Sequence, residues 1–143
     1  MGQKVNPIGL RVGISKTWNS KWYAGKDYPE QLKQDLSIQK FVKKRLKHAA
    51  ISHIEVERTA KKTKVNIFTA RPGIIIGRKG DEVERLKHEL NKLTRHEVIV
   101  NIKEIKRPEI EATLVAENIA NQLERRIAYR RAIRRAMTSA MRM

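Results

Sequence analysis

Hydrophobic and polar positions recur along this chain with two different periods, and the switches between them mark its elements. After an aperiodic opening stretch, Asp27-Tyr28-Pro29-Glu30 has the form of a helix start, with a capping Asp, an early Pro and a Glu three residues on. Leu32, Leu36, Ile38, Phe41, Val42, Leu46 and Ala49 follow at helical spacing, with a break predicted near Ser37. The period then falls to two. Ile54, Val56 and Arg58 alternate with Glu55 and Glu57, and Val65, Ile67 and Thr69 alternate with Asn66 and Phe68, which predicts two strands. Ala60-Lys61-Lys62-Thr63 between them is short enough for a hairpin, although it lacks the favoured Asn-Gly. Arg71-Pro72-Gly73 stops the second strand. Ile74–Ile76 reads either as a buried strand or as one helical turn, and Pro before it with Gly after it favours the turn.

Helical spacing returns at Val83, Leu86, Leu90 and Leu93, behind Asp81 and Glu82 in a first turn that suits the helix dipole. Val98, Val100 and Ile102 then share one face of a third strand, and Lys106-Arg107-Pro108 reads as a boundary. Val115, Ile119, Leu123 and Ile127 predict a helix over about 110–127, and the apolar stripe continues through Tyr129, Ile133, Met137 and Ala140. On a wheel of ~100° per residue, Arg130, Arg131, Arg134 and Arg135 fall on the other side from that stripe. A coiled coil is disfavoured because the run is short and lacks alternating charges at flanking positions. The order helix, strand, strand, helical turn, helix, strand predicts an α+β fold of two layers, with a three-stranded sheet packed by helices.

Charge changes this picture from a generic small domain to one with a partner. The 143 residues carry 32 Lys and Arg against 15 Asp and Glu, a formal net charge of +17. Such self-repulsion has no structural benefit, so a polyanionic partner is expected. A membrane is not expected, since the run Ile74-Ile75-Ile76 is far from the ~20 apolar residues of a spanning helix. The start Met1-Gly2-Gln3-Lys4 lacks the apolar core of a secretory signal, and Asn6 does not suit myristoylation of Gly2. The chain has no cysteine, which excludes disulfides, zinc knuckles and thiol chemistry and fits a reducing compartment. His48, His53, His88 and His96 are scattered singly and read as surface or sheet-edge residues, with no metal-ligand spacing.

The first 26 residues read as an irregular basic arm, with Trp18, Trp22 and Tyr23 packing it down; stacking on bases is the other reading of these aromatics. Lys40, Lys43, Lys44, Arg45 and Lys47 form either a solvated helix face or an RNA-contacting one. The densest signal is Gly73-Ile74-Ile75-Ile76-Gly77-Arg78-Lys79-Gly80. Gly77 and Gly80 would admit a sugar-phosphate chain where a Cβ would obstruct it, Arg78 and Lys79 would meet phosphates, and Ile74 to Ile76 would floor a groove for bases. The pattern resembles the Gly-x-x-Gly clamp by which KH domains hold about four nucleotides, although Gly-x-x-Gly alone is a weak signal.

Set in its α-β-β and helix-strand surroundings, the clamp is similar to that of a type II KH domain. The resemblance extends over the whole chain. Gly2-Gln3-Lys4-Val5-Asn6-Pro7, Trp18-Asn19-Ser20-Lys21-Trp22, Thr69-Ala70-Arg71-Pro72-Gly73 and Gln122-Leu123-Glu124-Arg125-Arg126 resemble the bacterial or organellar small-subunit ribosomal protein family numbered third. That resemblance implies a structural RNA-binding component of the small-subunit head, in the cytoplasm or an organelle, beside the entrance of the messenger path. Its partners would be small-subunit rRNA, messenger RNA and neighbouring head proteins, with no membrane, small-molecule substrate, cofactor or metal. Arg130, Arg131 and Arg134 match the basic positions through which the family touches incoming messenger, and Arg135 extends that face. The implied division is a basic arm over 1–26, the KH domain over 27–106, and over 107–143 a basic helix pair that opens a second domain and stops before its sheet. A free-standing KH regulator or an assembly factor is the alternative. Some relatives are credited with lyase activity on damaged DNA through a Schiff-base lysine, but no lysine here is marked as desolvated, so no enzymatic role is expected.

Overall fold

The computed structural model describes residues 2–59, 62–77, 80–94 and 96–142. Along them run α1 (Pro7–Arg11), β1 (Ser20–Lys21), α2 (Tyr28–Arg45), a 3-10 turn (Lys47–Ala49), β2 (Ile51–Arg58), β3 (Lys62–Thr69), α3 (Pro72–Ile76), α4 (Asp81–Thr94), β4 (Glu97–Glu104), α5 (Ala112–Glu124) and α6 (Tyr129–Met141). The sheet has the order β1-β2-β3-β4, with β2 and β3 antiparallel and the two outer pairs parallel. The predicted α+β KH architecture is therefore present, but its sheet has four strands. The additional strand comes from the arm, where Ser20 pairs with Val56 and Lys21 with Glu57.

Alternation along the strands makes one face of the sheet apolar. Ile54, Val56, Val65, Ile67 and Val98 are buried there against Ile38 and Val42 of α2, Ile75 of α3, and Leu86 and Leu90 of α4. At roughly 1.5–3 kcal/mol for each fully buried aliphatic side chain, this cluster is the main stabilising term for the domain. The opposite face is a polar ladder. Asn101 Nδ2 donates to Asn66 Oδ1 (3.1 Å), and Asn66 Nδ2 donates to Glu57 Oε1 (2.9 Å), so the buried Asn66 amide is satisfied across three strands.

Two further expectations are corrected. Helix α2 runs unbroken through Ser37, whose hydroxyl turns back to the Lys33 carbonyl at 2.8 Å and stays within the helix. The phase change there moves the stripe around the helix without stopping it: Leu36 is exposed, while Ile38 and Val42 are fully buried. Of the expected hairpin connection, Lys62 and Thr63 already belong to β3, and Ala60 and Lys61 lie outside the described residues. Ile74–Ile76, by contrast, form helix α3 as favoured, begun by Pro72 and closed by the Gly77 N–H on the Gly73 carbonyl at 3.0 Å.

Candidate nucleic-acid interface

Helix α3 holds Ile75 completely buried in the core, whereas Ile74 and Ile76 are 46% and 43% exposed. Of the three residues expected to floor a groove, only Ile74 and Ile76 are exposed, and Ile75 anchors the helix in the core. Gly73 is exposed in the first turn of α3. At the end of α3 the chain turns sharply: Gly77 has φ +68° and Gly80 has φ +87°, both in the region that disfavours side chains. Arg78 and Lys79, the cations between them, lie outside the described residues.

The two glycines meet different surroundings. A Cβ on Gly77 would stand 2.7 Å from Glu82 Cγ and 2.9 Å from Glu82 Cβ, while one on Gly80 would meet nothing within 4 Å. Glu82 thus packs its stem against the loop. Its carboxylate lies 4.0 Å from Arg45 of α2 and 3.7 Å from Arg85, so its negative charge beside the loop is partly offset by cations. The same Arg45 reaches Glu89 at 3.8 Å, which assigns it, among the lysines and arginine of α2, to holding α2 on α4. These pairs are half-exposed and each contributes little energy.

The second cationic element is α6. Arg130, Arg131, Arg134 and Arg135 are all exposed and have no carboxylate partner among the described residues. Arg130 lies over the Tyr129 ring at 5.7 Å and donates to its hydroxyl at 3.1 Å, which leaves much of its guanidinium free. The helix pair breaks at Arg126, in the left-handed region at φ +61°, so the continuous stripe of the sequence folds back as α5 against α6. Leu114 of α5 and Ala132 of α6 are buried; Ile133 and Met137 stay 43% and 63% exposed. Ile133 and Met137, together with Val115 and Ile119, line an apolar cleft of about 470 Å³.

The arm is fixed by a charged hub. Asp35 of α2 is 1% exposed and accepts from Trp22 Nε1 (2.7 Å) and Ser20 Oγ (2.8 Å) through one oxygen, and from the Arg58 guanidinium through the other (Nε, 2.9 Å). Arg58 also reaches Gln34 at 3.1 Å and the Gln31 carbonyl at 3.3 Å, and Lys21 pairs with Glu55 at 3.0 Å. Of the three arm aromatics expected to pack, only Trp22 does so. Trp18 and Tyr23 are 63% and 97% exposed, because only the side chain at position 22 points towards the hub.

His53 of β2 is the histidine that packs on the sheet. Burial lowers its pKa from the ordinary 6.5, against the opposing pull of Glu55 and Glu111. Its ring stacks on Phe68 at 4.0 Å, and Lys103 covers Phe68 at 5.0 Å, so the ring sits on the sheet as a neutral packing group.

The fold agrees with comparison to known proteins. The KH domain family matches residues 37–110. Small ribosomal subunit protein uS3 of Geobacter sp. (strain M21) is 62% identical over 142 residues, which is 99% of this chain and 67% of that protein. The uS3 proteins of Geotalea uraniireducens (strain Rf4) and Syntrophus aciditrophicus (strain SB) are 62% and 59% identical over the same length, 68% and 66% of those proteins. The chain belongs to the uS3 family of small ribosomal subunit proteins. It is accordingly a structural, RNA-binding constituent of the small subunit and not an enzyme, and in bacteria its place is the cytoplasmic ribosome.

Proposed function

We propose that this uS3 chain binds rRNA and lines the entrance of the messenger path in the small-subunit head, with three segments in distinct roles. Residues 1–26 form an arm, 27–106 the KH domain, and 107–143 a basic helix pair. The α3–α4 loop holds single-stranded RNA. Gly77 and Gly80 allow the sugar-phosphate chain to approach, Arg78 and Lys79 neutralise phosphates, and Ile74 and Ile76 meet the bases. Helix α6 supplies a phosphate-level grip through Arg130, Arg131, Arg134 and Arg135 that favours separated messenger strands. Neighbouring head proteins are the remaining partners.

The observation that carries the reading of the loop is the exposure of Ile74 and Ile76 next to two positive-φ glycines, while Ile75 between them is fully buried. An ordinary helix-to-helix turn has no need of an exposed aliphatic pair beside its tightest point. Replacing Arg78 and Lys79 together by Asp is expected to weaken binding to an unstructured RNA in a filter or anisotropy assay, with the circular-dichroism melt nearly unchanged. Unaltered affinity would make the loop a turn and nothing more.

A further inference from the structure

The two exposed aromatics of the arm carry an inference of their own. Trp18, Trp22 and Tyr23 lie within six residues, yet they have opposite fates. Trp22 is held by Asp35 and tilts against Tyr28 with ring centroids 5.4 Å apart. Trp18 stands 63% exposed before the anchored segment and Tyr23 97% exposed directly after it. The anchor makes this display a fixed feature. Ser20 and Trp22 turn to the hub on the helix side of the sheet, and Lys21 turns the other way to Glu55. The backbone itself is tied into the sheet through the Val56 N–H on the Asn19 carbonyl at 2.7 Å. Leaving two large aromatic surfaces in water costs the fold burial it would otherwise gain.

Charge decides what would cover them. The arm carries Lys4, Arg11, Lys16, Lys21 and Lys26 and no carboxylate before Asp27. Of these cations, Lys21 is paired; Lys4, Arg11, Lys16 and Lys26 have no carboxylate within salt-bridge distance among the described residues. Exposed aromatics interleaved with free cations match the two faces of single-stranded nucleic acid, stacking for bases and charge for phosphates. We propose that Trp18 and Tyr23 form a second RNA site, separate from the α3–α4 loop, that stacks on unpaired bases while the surrounding lysines hold the backbone. The proposal rests on the chain being an RNA-binding protein, and its test separates the two claims.

The test titrates the whole 143-residue chain with an unstructured single-stranded RNA and reads intrinsic tryptophan fluorescence and affinity across salt concentrations. Trp18 emission should be quenched on binding, and the quenching should vanish in Trp18→Phe. The double variant Trp18→Ala/Tyr23→Ala should lose roughly fivefold or more in affinity for stacking on even one base. The corresponding Phe variants should retain most of it. The slope of log K against log salt should stay unchanged, because no cation facing a phosphate is removed. Both side chains are exposed, so the melt should not move and misfolding cannot mimic the weaker binding. Affinity within about twofold of wild type overturns the proposal, as that is less than one stacked base contributes. Quenching that persists without Trp18, or weaker binding that comes with a flatter salt slope, overturns it too. If the surface docks a protein instead, RNA will neither quench Trp18 nor bind less tightly to the variant. A wild-type chain that fails to bind RNA at all would sink the broader reading as well.

Discussion

Gly77 and Gly80 bracket one loop but are needed for different physical reasons. At Gly80 the constraint is conformational: φ is +87° and the space for a side chain is open. Gly80→Ala is therefore expected to cost only the left-handed penalty, about 1–2 kcal/mol. At Gly77 the backbone, at φ +68° and ψ −169°, takes a conformation that is essentially glycine's alone, and to this is added a collision with the Cβ and Cγ of Glu82, atoms too near the α4 backbone to swing away. Gly77→Ala should cost about 3 kcal/mol or more and shift the start of α4. Urea unfolding of the two variants checks this. Equal destabilisation would mean that the Glu82 stem yields freely and that backbone conformation alone selects these glycines. The residue scale also shows what a sequence hides. Spacing places Ile74, Ile75 and Ile76 equivalently, and only the packed helix separates the buried middle one from its exposed neighbours.

Among the elements, the long ones are legible and so is short α3, marked by its Pro and Gly, whereas α1 and β1 within the expected irregular arm are not. α4 and the three long strands follow from periodicity because a buried face must repeat with the period of its backbone. β1 has two residues, too few for any period, and it exists because a partner far along the chain receives it. Ser20 and Trp22 are polar or amphipathic residues whose inward turn makes sense only once Asp35 and Arg58 stand beneath them. The same hub explains why equal expectations for Trp18, Trp22 and Tyr23 were met by Trp22 alone. It also sets a prediction at this scale. Asp35→Ala leaves the Arg58 guanidinium, whose side chain is 9% exposed, without its carboxylate, and should destabilise the domain by about 3–5 kcal/mol. The arm should be released at the same time, seen as faster proteolysis within residues 1–26 and red-shifted Trp22 emission. A destabilised domain with an arm still protected would show that β1 pairing alone holds it.

At the scale of the whole molecule the charge is segregated. The arm contributes five and the tail beyond Glu124 seven of the net +17, and neither stretch contains a carboxylate. The KH domain between them mixes its signs and ties several cations into pairs, as with Arg58 to Asp35 and Arg45 to Glu82 and Glu89. Composition made this excess plain, but not which cations are already used within the fold. The structure leaves the α6 arginines exposed and without a carboxylate partner among the described residues, with Arg130 and Arg134 flanking the apolar Ile133 and Met137. Concentrating unpaired charge at both ends of a domain with mixed signs is how a chain can grip a long polyanion without destabilising its own core. The proposed grip of α6 on RNA phosphates is tested most directly by the salt dependence of single-stranded RNA binding. Replacing Arg130, Arg131, Arg134 and Arg135 together by Gln should flatten the slope of log K against log salt by ~0.7 for each phosphate no longer neutralised, up to about 3 in all. An unchanged slope would contradict the account.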